Sequence, residues 1–299
     1  MLKIQFPEKY TLRFFLKVSQ LINDVQNQII ESSFVKFDLS RTMFIDPFGM
    51  VTLLSFCRHL YNTYNIHSVI TLPEGQAGSY MARAGFDSLN DSFITIERPR
   101  KNIMNYLKKN ENMGVLKFFD SESDIMPINT EFESWMKQNQ FTEYEINSLT
   151  TFVSEMIQNV CQHSRTRQRG VICIQAYISS KGEPFLSWAI GDSGIGIRQS
   201  LLQSELVEVT SLSDERVIRE VITKGISRFK DDKTRGNGLT RLYHGAQKRG
   251  ASLYIQSNSG LYGLDFDKNR QKKLERPIPF SVSGTNIGFF LQGKHLTTN

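Results

Sequence analysis

Along the first third of the chain, apolar positions switch repeatedly between two periods. Leu2, Ile4 and Phe6 alternate with polar residues, the pattern of a half-buried strand. Leu12, Phe15, Val18, Leu21, Ile22, Val25 and Ile29 then recur at helical spacing and predict one helix. Val35–Leu39 reads as a second strand. Asp46-Pro47 reads as a helix start with proline in the first turn, and Met50, Leu53, Leu54, Cys57, Leu60 and Tyr61 continue that helix. A third strand is expected at Ser68–Leu72. A short helix follows from about Ala77 to Ala84, closed by Gly85. This strand–helix alternation predicts a mostly parallel sheet with helices packed on it. From Phe86 to Gly114 the periodicity fades and the stretch becomes polar and basic, which places a domain boundary near residue 112. The expected units are therefore 1–112 and 113–299.

The second unit is patterned differently. Thr142, with Glu145 three residues on, is a capping box. Ile146, Leu149, Phe152, Val153, Met156, Ile157, Val160 and Cys161 form one apolar helix face behind it. Strands are expected at Val171–Ile178, Phe185–Ile190, Ser252–Gln256 and Asn286–Leu291. Helices are expected at Asp214–Lys224 and Leu239–Arg249, the latter stopped by Gly250. Helices and strands do not alternate strictly, which favours an α+β sandwich with helices on one face of a mixed sheet.

Composition narrows this only slightly. A length of 299 residues suits two domains at about 100–200 residues each. The 39% hydrophobic and 22% charged fractions are those of an ordinary globular chain. No stretch reaches the roughly 18 apolar residues of a membrane helix. Pro7 comes too early for a secretory leader, so a cytoplasmic protein without membrane attachment is expected. The three cysteines, Cys57, Cys161 and Cys173, form no C-x-x-C pair and read as reduced core thiols. A net charge of +6 permits nucleic-acid contact without demanding it, and the basic run Lys268–Arg276 reads more simply as a solvated hairpin or loop.

The candidate chemistry lies in three segments of the second unit. In Glu155-x-x-x-Asn159-x-x-x-His163, each residue sits about 40° round the helix from the last, so the three side chains form one ridge beside the apolar stripe. An Asn there can offer Mg²⁺ a neutral oxygen, and a Glu one turn earlier can polarise an attacking water. The plainer reading is a polar helix edge, with His163 orienting Glu155 or packing. Asp192-Ser193-Gly194-Ile195-Gly196 follows a strand. Its glycines admit close backbone approach, and its Asp can accept from an exocyclic amine such as that of adenine. Alone, the same pattern also describes a surface turn. Arg235-Gly236-Asn237-Gly238 opens a helix, whose free N–H groups suit phosphate.

In this order and spacing, together with Ser283-Gly284-Thr285 before the last strand, these segments resemble the GHKL family of histidine-kinase-like ATPases over about residues 142–292. The resemblance implies a Bergerat-type α/β sandwich that binds ATP and Mg²⁺. Asn159 would ligate the metal, and Asp192 would read adenine with help from Thr285. Gly194 and Gly196 would admit the nucleotide, Gly236, Asn237 and Gly238 would hold phosphates, and Glu155 would be the general base. Arg198–Arg235 would be a mobile ATP lid, with Lys224, Arg228, Lys230, Lys233 and Arg235 as phosphate-facing cations.

In the first unit, Phe37-Asp38-Leu39-Ser40, then Phe44-Ile45-Asp46-Pro47-Phe48-Gly49 and an apolar helix, is similar to STAS domains over about residues 1–95. Pro47 stands where anti-sigma-factor antagonists carry a phosphorylatable Ser, so that regulation is in doubt here. The alternative is a generic α/β domain in which Gly49 serves close helix packing. No Walker-A motif, nucleophile elbow or Cys/His metal cluster appears. The overall expectation is an ATP-dependent regulatory protein that hydrolyses slowly and acts on a protein partner. An anti-sigma-type serine/threonine kinase and a non-catalytic ATP-gated module are the alternatives. An ATP-dependent homodimer is compatible with each, and action on nucleic acid is disfavoured.

Overall fold

The computed structural model describes residues 2–89, 91–98, 115–138, 141–163, 170–178, 184–204, 207–226, 238–267 and 270–292. The expected boundary near residue 112 lies outside them.

The first part follows its period-two and helical signals closely. Strands β1 (Leu2–Gln5), β2 (Lys9–Tyr10), β3 (Phe34–Asp38), β4 (Phe44–Ile45), β5 (His67–Thr71) and β6 (Ile94–Glu97) are joined by α1 (Phe15–Asp24), α2 (Gln26–Ile30), α3 (Pro47–Tyr64) and α4 (Gly75–Arg83). Four strands form a sheet in the order β1-β3-β5-β6. All its pairings are parallel, as helical crossovers require. The helix expected from Leu12 to Ile29 is interrupted: Leu12–Phe14 is a 3₁₀ turn, and the backbone leaves helical dihedrals at Val25 (φ −115°, ψ 14°). Asp46 caps α3, its Oδ1 accepting from Gly49 N–H at 2.8 Å and its Oδ2 from Leu12 N–H at 2.9 Å. Gly49 serves close packing, because a Cβ there would sit 2.5 Å from Tyr10 O.

The second part contains β7 (Val115–Phe119), α5 (Ile125–Gln138), α6 (Glu143–His163), β8 (Gly170–Ile178), β9 (Pro184–Gly191), α7 (Gly196–Leu202), α8 (Asp214–Lys224), α9 (Gly238–Arg249), β10 (Ser252–Asp267) and β11 (Arg270–Gln292). Neither β6, β7 nor α5 was expected from the sequence. The sheet expected to be mixed is antiparallel at every described pairing, in the order β10-β11-β9-β8-β7. β8–β9 and β10–β11 are consecutive strands, whereas β7 pairs with β8 across α5 and α6, and β9 pairs with β11 across α7, α8, α9 and β10. From Arg270 to Arg276 the basic run lies on β11, where Lys273 pairs with Leu264 and Lys272 with Asp265 of β10. β11 meets β9 only from Asn286 onward, so Pro277 and Pro279 fall where β11 has β10 as its single strand neighbour.

Much of the segment expected to be a lid is packed. Leu201, Val209, Val217 and Val221 share a small buried cluster between α7 and α8. The first turn of α8 lies against β10, where a Cβ on Gly260 would meet Glu215 N at 2.3 Å. The amphipathic face of α8 thus buries itself as any such helix does. Arg228, Lys230, Lys233 and Arg235 lie outside the described residues, and Lys224 pairs with Glu220. Among the described residues, no helix is long and apolar enough to cross a membrane.

Helices cover both faces of the antiparallel sheet. α6 and α9 lie on one face. α1 and α3, from the first part, lie on the other, where their buried side chains join Val171, Cys173, Ala189 and Phe280 in one continuous core. Cys57, Cys161 and Cys173 are all free, and the first and last are buried.

Candidate functional site

A cavity of about 120 Å³ opens between α6, the end of β9, α7 and the start of α9. Asn159, Asp192, Gly196 and Thr285 all line it, four positions from three segments of the chain. Its remaining walls are mainly aliphatic, with Met156, Ile190, Leu239 and Ile287 among them. An apolar slot with a few convergent polar groups is the usual form of a small-molecule site.

The β9–α7 turn holds Asp192. Its Oδ1 accepts from Gly194 N–H at 2.7 Å, and its own N–H donates to Thr285 O at 2.9 Å. Burial pushes its carboxyl up to about 6, against the opposing pull of the Gly194 and Thr285 N–H groups and of the Arg58 charge. Gly284, at φ 90°, passes so close beneath the turn that a Cβ would lie 2.1 Å from Asp192 O. Gly196, at φ 77°, faces the Asn258 side chain in the same way, with 2.4 Å to Nδ2.

Three polar residues that sequence reasoning passed over hold this turn in place. Ser257 Oγ accepts from Ile197 N–H at 2.9 Å and lies 3.2 Å from Thr285 Oγ1. Asn258 Nδ2 donates to Ile195 O at 3.0 Å, and its Oδ1 accepts from Gly284 N–H at 3.3 Å. Asn286, 1% exposed, donates to Gln256 Oε1 at 2.5 Å and accepts from Ser55 Oγ–H at 2.6 Å. Gln256 in turn donates to Asn258 O at 2.9 Å. A polar chain therefore runs from α3 to the cavity wall. The signal available was the polar run Gln256-Ser257-Asn258-Ser259 inside a strand that is otherwise apolar.

Glu155 stands apart from the other candidates. It does not line this cavity; its Oε1 accepts from Arg241 Nη1 at 2.5 Å, and it borders a neighbouring cavity instead. Gly238 starts α9 directly against it, where a Cβ would meet Glu155 Oε2 at 2.7 Å. Gly194 contributes through its bond to Asp192. Gly236 and Asn237 lie outside the described residues, as does the His163 side chain. Asn159 is half-buried on the ridge of α6, one turn beyond Glu155. A single amide oxygen fits Mg²⁺, which keeps several waters and shares phosphate oxygens.

Comparison with known proteins gives no match, either to a model of a protein family or to a curated protein.

Proposed function

We propose that this chain is an ATP- and Mg²⁺-binding regulatory protein of the GHKL type, with a STAS-like first part and a Bergerat-type second part. The observation that carries this reading is the convergence of Asn159, Asp192, Gly196 and Thr285 on one cavity. The parallel sheet with α3 capped at Asp46-Pro47, and the antiparallel sheet with α6 and α9 on its cavity face, are both compatible with it.

Asp192 would accept from the adenine amine, with Thr285 beside it, while Ile190 and Leu239 flank the ring. Asn159 would hold Mg²⁺, which when bound neutralises phosphate charge. Glu155 would take a proton from water as the water oxygen attacks the γ-phosphorus and the bond to the β–γ bridging oxygen breaks, leaving ADP and phosphate. The Arg241–Glu155 pair favours a second reading, in which ATP is held without turnover and gates contact with a protein partner.

Calorimetric titration with ATP and Mg²⁺ tests the site. Wild-type binding should weaken by about tenfold or more in Asp192→Ala and in Asn159→Ala, since each removes a hydrogen bond or ligand to a charged or buried group. No binding by the wild type would sink the reading. With γ-labelled ATP, label in free phosphate that disappears in Glu155→Ala supports hydrolysis. Label on protein supports the kinase alternative, and tight binding without product supports the gated module.

A further inference from the structure

A second cavity, of about 240 Å³, lies on the other side of Glu155, between α6, α9 and the cavity-side face of β9 and β11. Its floor is aromatic. Trp188 stacks on Phe289 (ring centroids 5.3 Å, 12° between planes) and touches Phe152 (4.5 Å). Trp188 is 1% exposed, and its indole N–H, buried, has no hydrogen-bond partner among the described residues. Buried indole N–H groups ordinarily find one. Arg241 and Arg249 also line the cavity, against the single carboxylate of Glu155. Arg241 is well exposed, at 57%, and Arg249 stands 5.8 Å over the ring of Tyr144.

We propose that this cavity is a second binding site, for a small amphipathic anion: a carboxylate or sulfonate on an apolar body. The body rests on Trp188, Phe152 and Phe289, where its burial is favourable. The head meets the guanidinium forks of Arg241 and Arg249, whose planar donors match an oxyanion. Because Arg241 also holds Glu155, occupancy and the Glu155–Arg241 pair compete. The site thereby touches the proposed catalytic base without overlapping the proposed nucleotide cavity, and binding there does not depend on the ATP reading being right.

The test uses the full chain and decanoate, with 1-decanol as a neutral probe of equal length. The chain has two tryptophans, so Trp135→Phe leaves Trp188 as the sole indole reporter. Decanoate should change its fluorescence saturably, and more tightly than decanol. Arg241→Gln and Arg249→Gln should each weaken decanoate about tenfold and leave decanol unchanged. Glu155→Gln should tighten it about two- to fivefold by freeing Arg241 from an exposed pair. Gly245→Leu fills the cavity from α9, where an added Cβ meets only Arg249 Nη1 at an ordinary 3.5 Å, so the variant folds and decanoate binding disappears.

The proposal is overturned by no saturable response, both in the Trp135→Phe chain and by calorimetry on the wild type. It is overturned equally by binding that persists in Gly245→Leu, or by displacement of decanoate by ATP and Mg²⁺, which would place the probe in the other cavity. A chain that binds decanoate but no ATP would refute the ATPase reading and leave this site standing.

Discussion

Neighbouring residues of β8, β9 and β11 belong to different cores. Val171, Cys173 and Ala189 join the core with α1 and α3, while Ile172, Ile174, Leu186, Trp188, Ile190, Ile287, Phe289 and Leu291 join the core with α6 and α9. This is the period-two alternation of a strand, with both faces covered. The faces differ in what they carry. The α3 face has small residues where the helix comes closest. A Cβ on Gly288 would meet Phe48 at 2.4 Å, and one on Gly191 would meet Val51 Cγ1 at 2.6 Å. The α6–α9 face carries the bulky residues, and both cavities open there. Large side chains radiating from a sheet leave space under the helices that cover them, whereas small ones under a close helix leave little, here about 10 Å³ beside Leu54, Ser55 and Arg58. The α3 face therefore fuses the two parts of the chain, and the opposite face provides room for ligands.

The largest expected effect breaks that fusion. Phe48 packs edge-on against Phe15 (5.4 Å) and over Gly288. Phe48→Ala should cost about 3–5 kcal/mol. Urea unfolding followed by tryptophan fluorescence and by far-ultraviolet circular dichroism should show one coincident transition in the wild type. Two separate transitions would mean the two parts are independent domains and the shared core is energetically idle.

How far this arrangement could be read from the sequence depends on the length scale involved. The α3 start at Asp46-Pro47 and the α8 span are local features, set by capping and amphipathic period, and the structure has them where the sequence puts them; α7, within the segment expected to be a lid, was not among the expected helices. Asn159, Asp192, Gly196 and Thr285, which the family resemblance groups together, do line one cavity, whereas Glu155 and Gly238, grouped with them, do not. Burial of α3 against β9 and β11 was not legible. Its apolar residues extend almost all round, from Phe48 to Leu60, which says that the helix is enclosed but not by what. Nor could Arg241 be matched to Glu155, since nothing local links residues 86 apart.

Next in size is a pair of acids, buried Asp46 and half-buried Asp192, one on each side of the comparison. Burial raises both Asp46, in the fused core, and Asp192, at the cavity, to about 6. Between the unfolded value of 3.8 and about 6, the folded state keeps a proton that the unfolded chain has lost. Stability should therefore fall as pH rises through that window, by up to about 2–3 kcal/mol for each acid. Asp46→Asn and Asp192→Asn should each flatten the slope of unfolding free energy between pH 4 and pH 6, and an unchanged slope would count against the raised value. ATP affinity should run the other way. It should grow as pH rises through about 6, because the ionised Asp192 is the better acceptor for an amine; Asp46→Asn should leave that trend intact.

A smaller effect is expected from the polar chain that joins the faces. Asn286→Ala leaves Gln256 Oε1 without its partner, while Ser55 Oγ keeps its bond to Val51 O at 3.1 Å. A loss of about 1–3 kcal/mol follows for a buried group so stranded. If the chain also holds the nucleotide turn, ATP affinity should drop with it. Asn286→Ala with normal ATP affinity would make the chain a strut of the core alone.

The smallest effect separates a surface ion pair from that buried chain. Arg241 and Glu155 keep 57% and 27% of their side chains exposed, so water screens their attraction and ordering two long side chains offsets most of it. A double-mutant cycle with Glu155→Gln and Arg241→Gln should give a coupling of about 1 kcal/mol or less in unfolding free energy. A weak pair is what a competing anion could displace and what an attacking water could find open, so small coupling agrees with both uses proposed for Glu155. A coupling of about 3 kcal/mol or more would instead mark a desolvated pair. Glu155 would then be locked away from any reaction, and the chain would be a nucleotide-gated module rather than a hydrolase.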